Sequence, residues 1–487
     1  MEFRIRNISN SYMSRIEKTV IINYIYSALY HVLLIIIPLV LTPYLSRVLG
    51  AYEIGRYAFE YSVASYFALF VILGTKNYGS KVIASYRDDE EQMIDIFWNI
   101  YAMQFFIMMI ASVLYVAYIL RLAHAPQIAM PFYLIILASG IDITWFFWGM
   151  EEFKYTVRRD FAVKICTTML ILLCVKTQAD TWKYALIIST GMLISQLILW
   201  FRFFSKYKMV KPELNKVFKH VKPNLVMFIP VAAVNIYKTM DKVMLELMSN
   251  SNEVGYYYSC EKITNVPLAL VTSLNAVMLP RMSYLHSKRK KTIDIIMKSV
   301  LFSVCITTMI SVGILASSSQ FVPLFYGPGY EKCVVNFYIL LPSCSVIAFT
   351  NVICSQYLIP NNRTNIYAGA RVAGAVVNLV ANALFIPMLM SYGAALGTLI
   401  TELVVCFIQA IYVYKQLPII KMFIEYLFFT ISGAVSLGII SLFSFYENNA
   451  WVGVLERALV AIGIYCAIVI ICGSLYRCKV CKKNRIE

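Results

Sequence analysis

The sequence predicts an all-α polytopic membrane protein with about fourteen transmembrane helices. Of its 487 residues, 60% are hydrophobic and only 14% are charged. The mean hydropathy is +0.70, a composition that soluble domains do not have. Apolar runs of roughly 20 residues, the length that crosses a bilayer as a helix, recur along the chain. No segment between these runs is long enough to fold as a soluble domain.

The apolar runs are predicted to be helices because they are continuously apolar and do not alternate with polar residues. This pattern excludes a transmembrane β-barrel, whose strands alternate. The predicted spans are centred on Ile35, Ala64, Met109, Ala138, Ile171, Ile194, Val234, Ala269, Thr307, Val346, Val377, Leu403, Ser432 and Ile464. An even number of spans places both termini on the same side of the membrane.

Cationic residues orient the predicted helices, because cytoplasmic segments are rich in Lys and Arg. Both tails and alternate loops carry such clusters. The tail cations are Arg4, Arg6, Arg15, Lys18, Arg477, Lys479, Lys482, Lys483 and Arg485. Both termini are therefore predicted to be cytoplasmic. The formal net charge of +17 fits anionic lipid headgroups, and no basic domain with interleaved aromatic residues indicates nucleic-acid binding.

The chain is predicted to contain two six-helix lobes and a trailing pair of helices. The N-lobe covers 1–204 with spans one to six, and a basic cytoplasmic linker covers 205–224. The C-lobe covers 225–416, and the two extra spans and the basic tail cover 417–487. The lobes share a weak sequence similarity, since 53–57 reads EIGRY and 253–257 reads EVGYY. Repeated lobes of this kind are typical of secondary transporters, although chance also explains so short a similarity.

Ionisable residues inside predicted spans indicate a polar path, since such groups usually face a cavity or a partner. They are Asp142, Lys238, Asp241, Lys242, Glu246, Glu261, Lys262, Arg371 and Glu402. In span seven, the spacing of Lys238 with Asp241 and of Lys242 with Glu246 also allows pairing along one helical face. Structural pairing and a role in a cavity both remain open for this span.

Arg371, Asn378 and Asn382 lie on one face of a predicted helix, at offsets of seven and eleven residues. We expect Asn378 and Asn382 to pack against a neighbouring helix, and Arg371 to meet a polar cargo. In span four, Trp145 and its aromatic neighbours precede a group of cations. Such a combination suits a sugar-phosphate headgroup, and it is also typical of an interfacial aromatic belt.

Signatures of other functional classes are missing from the sequence. It has no phosphate-binding P-loop and no nucleophile elbow, and its four histidines lack metal-binding spacing. We therefore expect no metal and no bound cofactor. A voltage-sensor helix and a carbonyl filter are also missing, which argues against a channel.

Several segments together resemble the polysaccharide repeat-unit flippases (Wzx-type) of the multidrug/oligosaccharidyl-lipid/polysaccharide exporter superfamily. The likeness extends over nearly the whole chain, and it depends on the order and spacing of motifs that are individually weak. The motifs are 38–50 (PLVLTPYLSRVLG), 73–84 (LGTKNYGSKVIA), 145–153 (WFFWGMEEF), 279–283 (LPRMS), 324–327 (LFYG), 378–387 (NLVANALFIP) and 392–397 (YGAALG).

The resemblance implies a MATE-like, two-lobed flippase in the bacterial plasma (inner) membrane. Its cargo would be an undecaprenyl-diphosphate-linked oligosaccharide, moved to the outer leaflet for O-antigen, lipopolysaccharide or capsule synthesis. The resemblance also allows an association with the glycan polymerase machinery. The candidate cargo contacts are Arg371, Lys238, Lys262, Lys76, Lys81, Lys154, Arg158 and Trp145. The candidate sites for a coupling proton or sodium ion are Asp142, Asp241, Glu261 and Glu402.

Two alternative functions remain open at this point. A cation-coupled multidrug exporter of the same superfamily would favour an acidic cavity over a basic one. A membrane-embedded glycan polymerase or transferase would need a large loop for its chemistry. No loop between predicted spans exceeds roughly 25 residues, which disfavours the enzyme.

Overall fold

The computed structural model describes residues 2–288, 292–443 and 450–483. Side chains are described between residues 36 and 473, except in these gaps and at positions 230, 234, 238 and 287. The described residues form helices and no strand. The α-helices are α1 Glu2–Ile72, α2 Thr75–Tyr86, α3 Glu90–Arg121, α4 Pro126–Gly140, α5 Thr144–Gly149, α6 Phe153–Cys174, α7 Thr181–Phe204, α8 Leu214–Met248, α9 Ser251–Ser287, α10 Ile293–Tyr326, α11 Lys332–Ile353, α12 Thr364–Leu389, α13 Ser391–Val413, α14 Ile419–Ile440 and α15 Ala450–Lys483.

Each predicted span centre lies in one of these helices, and α1 contains the first two. Within the described residues, 11 helical segments are long and apolar enough to cross a membrane, or up to 12 if the two parts of α8, bent by 42°, count as one span. Helix α6 is not among them, because its first half carries several charged side chains. The fold is thus the all-α, multi-pass architecture that the sequence predicted, while the count of fourteen remains a prediction.

The chain divides into two compact units that differ in outline from the predicted lobes. Unit 1 comprises Met1–Leu41 and Glu60–Ala232, and unit 2 comprises Thr42–Phe59 and Ala233–Glu487. The short segment Thr42–Phe59 packs with unit 2, although it precedes most of unit 1 in the sequence. The predicted linker, 205–224, groups with unit 1.

A close helix crossing holds this short segment in unit 2. At Gly50 the chain leaves helical geometry with φ 75°, a conformation that glycine adopts without the steric cost of a Cβ. Beyond this break, Gly55 lies against the Ser251 carbonyl, and Gly255 lies against the Ala51 carbonyl. A Cβ at either glycine would overlap the opposing backbone. The two similar motifs of the sequence, 53–57 and 253–257, therefore pack against each other.

An aromatic cluster forms much of the unit 1 core. The rings of Phe97 and Phe203 stack with centroids 4.2 Å apart, and Trp145 lies 5.3 Å from Phe97. Trp145 also covers Gly79, where a larger side chain would collide with the indole. This packing ties α2, α3, α5 and α7 together.

The two trailing helices, α14 and α15, belong to the core of unit 2. Ile462 of α15 lies against Gly313 of α10, and Thr308 of α10 lies against Gly433 of α14. Ser436 donates a hydrogen bond to the Ala461 carbonyl at 2.8 Å. Small residues at these contacts let the helices approach closely, as is usual in membranes.

Candidate functional site

Asp241 of α8 is the centre of a buried polar cluster in unit 2, which we call the Asp241 cluster. Its Oδ1 accepts hydrogen bonds from Nδ2 of Asn378 at 2.9 Å and of Asn382 at 2.7 Å. Its Oδ2 accepts from the hydroxyls of Tyr257 at 2.6 Å and Thr398 at 3.0 Å. The carboxylate is 3% exposed. Four donors match its four lone-pair positions, which offsets the cost of burying it.

Glycine at position 397 leaves room for this cluster. A Cβ there would collide with Oδ1 of Asn382, whose Nδ2 donates to Asp241 and to Oδ1 of Asn378. The YGAALG motif thus has a local physical role, because its last glycine lets α13 approach the asparagines of α12.

Arg371 of α12 and Glu402 of α13 form a second buried site in unit 2, the Arg371–Glu402 pair. The Arg371 Nη1 lies 3.1 and 3.2 Å from the two carboxylate oxygens of Glu402. It also donates to the Tyr237 hydroxyl at 2.8 Å, and that hydroxyl donates to Glu402 at 3.0 Å. Nη2 donates to Oδ1 of Asn351 at 3.3 Å. Arg371 and Glu402 are 4% and 3% exposed.

The structure therefore joins a predicted cargo contact to a predicted ion-coupling acid. In this conformation the charge of Arg371 is neutralised by Glu402, so Arg371 is not presented to a cargo. The predicted stripe on α12 is present, since Arg371, Asn378 and Asn382 are all buried. Asn378 and Asn382 donate hydrogen bonds to Asp241 of α8. This agrees with the expectation that they pack against a neighbouring helix.

The remaining unit 2 candidates lie on α8 and α9. Lys242 pairs with Glu261 of the next helix at 2.8 Å, whereas the sequence suggested Glu246, which accepts from Ser251 at 2.7 Å. Lys262 lies over the Tyr258 ring, 4.4 Å from its centroid, a favourable cation–π distance. The side chain of Lys238 lies outside the described residues.

Unit 1 contains a cavity of about 510 Å³ whose lining includes several charged side chains, and we call it the unit 1 cavity. Two predicted candidates, Lys76 and Asp142, line it. Asp142 occupies the break between α4 and α5, where Oδ1 accepts from the Thr144 amide at 2.8 Å. The Lys76 ammonium lies 3.9 Å from Oδ2 of Asp142.

Of the other charged residues of this cavity, sequence reasoning placed Arg159 only in the group of cations after the aromatic residues of span four, and it missed Asp160 and Lys164. Arg159, 7% exposed, donates to Oδ1 of Asp160 through Nη2 at 2.8 Å and Nε at 3.1 Å. The Ser195 hydroxyl donates to the same oxygen at 3.0 Å, and Lys164 also lines the cavity. The available signal was that Asp160 and Lys164 lie one helical turn apart within a predicted span.

The other unit 1 candidates do not line the cavity. Lys81, Lys154 and Arg158 are exposed. Trp145 is 1% exposed in the aromatic core, and its contact with a cargo stays a prediction. Its role here is packing, because its ring is enclosed by other aromatic side chains. Within the described residues, no group of three His, Cys, Asp or Glu side chains could hold a metal ion.

The fold and these sites define a multi-pass integral membrane protein whose helical units contain buried charged clusters. The chain belongs to the polysaccharide biosynthesis protein family, whose model matches residues 20–286. It is 23% identical over 390 residues to an Escherichia coli (strain K12) protein with the description "Putative O-antigen transporter". This match covers 78% of the chain and 92% of that protein. A location in the bacterial inner membrane is consistent with this membership.

Two solved structures have similar folds. The lipid II flippase MurJ, in an inward closed conformation, matches with a TM-score of 0.74 and 15% identity, covering 94% of this chain and 100% of that one. An inward-facing multidrug resistance MATE family transporter of the MOP superfamily matches with a TM-score of 0.55 and 11% identity, covering 84% and 100%. The predicted MATE-like fold is confirmed.

Proposed function

We propose that the protein is a flippase that moves undecaprenyl-diphosphate-linked oligosaccharides from the cytoplasmic to the outer leaflet by alternating access. The observation that carries this proposal is the set of charged clusters buried inside membrane helices of a polysaccharide biosynthesis family member. Such charges are costly in a membrane, and those that are retained usually pair with one another and mark substrate or ion pathways. The similarity to the Escherichia coli protein described as "Putative O-antigen transporter" and the flippase-like fold support the same function.

The cargo has an anionic diphosphate, and Arg371 is our candidate for its cation. Guanidinium groups bind phosphate oxygens with two parallel hydrogen bonds. In this structure Arg371 donates hydrogen bonds to Glu402 and Tyr237. In the proposed cycle, diphosphate replaces Glu402 as the partner of Arg371, so that the buried cation never lacks an anion.

The cargo also has a long apolar tail, and unit 2 offers a groove of suitable chemistry. This groove, about 860 Å³ in volume, is lined almost entirely by apolar side chains of α13 and α14, including Leu403, Phe407 and Phe423. An isoprenoid chain would bury its surface there without placing a polar group against hydrocarbon. We assign the groove to the lipid tail.

We assign ion coupling to Asp241. Its four donors hold the carboxylate at membrane depth, and a bound proton or cation would alter this hydrogen-bond set directly. Because the donors come from α9, α12 and α13, occupancy of this site would change how these helices pack. This offers a physical route from an ion gradient to a conformational change.

Surface glycan export in cells tests the proposal. Deletion of the gene should remove the exported glycan, and the wild-type gene should restore it. Arg371→Ala, at equal membrane abundance, should fail to restore export, whereas Arg87→Ala, a matched change at a largely exposed arginine, should succeed. Normal export from cells that lack the gene would contradict the proposed function. Normal export by Arg371→Ala alone would assign Arg371 to packing.

A cation-coupled multidrug exporter is the second candidate, favoured by the buried acids Asp241 and Glu402. Drug resistance measured with and without the gene separates the two functions. We expect no change in resistance, because both acids are buried among side chains of the protein and neither is open to a drug-sized cation. A loss of resistance on deletion, with normal glycan export, would favour the exporter.

A further inference from the structure

Two cysteines lie side by side where α9 and α11 pack together in unit 2. Sγ of Cys260 on α9 lies 3.6 Å from the carbonyl oxygen of Cys333 on α11. Sγ of Cys333 lies 3.6 Å from the carbonyl oxygen of Tyr256, one helical turn before Cys260. The two thiols also interact with each other. Each sulfur atom therefore lies against the opposite helix, and we call this arrangement the Cys260–Cys333 pair.

Contacts beside the pair hold the surrounding helices in place. The Tyr326 hydroxyl of α10 donates to the carbonyl of the residue before Cys260 at 3.0 Å. Lys332, the residue before Cys333, pairs with Glu253 of α9. Both cysteines are 0% exposed. A disulfide forms without backbone movement only between cysteines that already face each other at short range, and these contacts maintain such an arrangement.

The pair lies near the ends of α9 and α11 that the sequence predicts to face outward. Cys260 is in the third turn of α9, and Cys333 is the second residue of α11. The opposite end of α9 leads to a basic segment, 288–291, which reads KRKK and is typical of a cytoplasmic loop. Disulfides form and persist in oxidising compartments outside the cytoplasm. The compartment nearest to the pair is therefore the one that favours oxidation.

We propose that Cys260 and Cys333, which are free thiols in this structure, form a disulfide bond that joins α9 to α11. The thiolate of one cysteine attacks the disulfide of a thiol oxidant in the outer compartment, and one donor thiolate leaves. The second cysteine then attacks the mixed disulfide, so that the Sγ–Sγ bond forms and the other donor thiolate leaves. The protein loses two electrons and two protons, and the donor gains them. Because the packed helices enclose both thiols, this exchange takes place during folding.

The disulfide stabilises unit 2 by restricting the unfolded chain. It closes the segment from 260 to 333, which contains all of α10, and the stabilisation by a disulfide increases with the length of the loop that it closes. The proposal depends on how α9 and α11 pack and not on the transported molecule. It therefore stands or falls separately from the flippase function.

Peptide mapping of the full-length protein tests the proposal. The protein is produced in a bacterial host with an intact periplasmic thiol-oxidation pathway, and free thiols are blocked with a maleimide in denaturant at the moment of lysis. Mass spectrometry without reduction should then show a linked peptide pair that contains Cys260 and Cys333 and that separates after reduction. Maleimide on both cysteines in most of the protein would overturn the proposal and leave the pair with a packing role only.

Cys344 of α11 provides a matched control within the same helix pair. It is also 0% exposed, and its Sγ lies 3.5 Å from the carbonyl oxygen of Thr264 on α9. Its hydrogen-bond partners are carbonyl groups and not a second thiol. Cys344 should therefore carry the maleimide in the same sample. A disulfide that joins Cys344 to Cys260 or to Cys333 would contradict the proposed pairing.

Thermal unfolding in detergent tests the effect of the bond. The wild type should melt at a higher temperature without reductant than with a phosphine reductant. Cys260→Ala and Cys333→Ala should each abolish this difference, whereas Cys344→Ala should retain it. The comparison of linked and reduced wild type needs no substitution, so it decides the question even if a variant fails to fold. Equal melting temperatures for the two forms of the wild type would contradict the stabilising role.

Discussion

At the scale of single residues, the buried charges of unit 2 are held by partners that are far away in the sequence. Asp241 is bound by donors at positions 257, 378, 382 and 398. Arg371 is bound by Glu402 and by residues of two other helices. Each charge is therefore held by several helices at once. A mutation at Asp241 or Arg371 thus tests the packing of all of these helices.

Asp241→Asn is expected to remove ion coupling while retaining the shape of the site. The amide keeps one acceptor oxygen but places an NH2 group against donors that now bind Oδ1 or Oδ2, so the hydrogen-bond set can no longer respond to an ion. In liposomes, an imposed proton or sodium gradient should accelerate the wild type and leave Asp241→Asn unchanged. Gradient-dependent transport by the variant would exclude Asp241 as the coupling site.

Glu402→Gln is expected to destabilise the protein by about 3 kcal/mol or more, because it leaves the buried Arg371 without its anion. Unfolding in detergent measures this loss. The double variant Arg371→Met/Glu402→Leu should recover much of the stability, since no isolated charge remains. Glu151→Gln, which breaks the exposed pair with Arg87, is the control and should cost about 1 kcal/mol or less. Equal losses in both pairs would contradict the buried-pair account.

Sequence periodicity predicted the face of these residues but not their partners. The offsets of seven and eleven placed Arg371, Asn378 and Asn382 together on one face of α12, as observed. Spacing within one helix carries no information about which other helix covers that face. For this reason the sequence did not connect Asp241 with Asn378 and Asn382, or Arg371 with Glu402, and it missed Asp160 on α6.

At the scale of elements, glycines determine how closely helices approach. The crossing of the segment after Gly50 with α9 depends on Gly55 and Gly255, which face each other's backbone. The similar motifs at 53–57 and 253–257 therefore have a packing role, and their origin by duplication stays a prediction. Its chemistry is that of small residues at membrane helix contacts.

Gly255→Val is expected to destabilise unit 2 by roughly 1–3 kcal/mol, because the added atoms overlap the Ala51 carbonyl and force the helices apart. Thermal unfolding in detergent checks this. Gly369→Val provides the control, since a Cβ at Gly369 meets nothing within 4 Å. A melting temperature for Gly255→Val as high as that of Gly369→Val would show that the close crossing is unimportant.

Helix positions were the most predictable feature at this scale, because continuous apolar runs of bilayer length leave few alternatives. Helix partners were less predictable. The trailing pair, α14 and α15, was expected as an addition to the C-lobe, yet its side chains complete the same apolar core as Val304 and Val312 of α10. Hydropathy shows that these helices meet an apolar environment, but it does not distinguish lipid from protein.

At the scale of the whole molecule, the proposed function assigns two parts of a lipid-linked oligosaccharide to places in unit 2. The diphosphate is assigned to Arg371, and the lipid tail is assigned to the apolar groove of α13 and α14. The class of protein, a multi-pass membrane protein, was predictable from composition alone. The placement of Thr42–Phe59 with unit 2 was not predictable. It depends on side-chain packing, and the segment lies between two parts of unit 1 in the sequence.

Leaflet transfer in proteoliposomes tests the central claim most directly. Purified protein is reconstituted with a fluorescent undecaprenyl-diphosphate oligosaccharide, and a membrane-impermeant reagent measures the label that remains in the outer leaflet over time. We expect faster transfer with the wild type than in protein-free liposomes, and a rate near the protein-free value with Arg371→Ala. A wild-type rate equal to that of protein-free liposomes, with folded protein present and both ion gradients tried, would contradict the account.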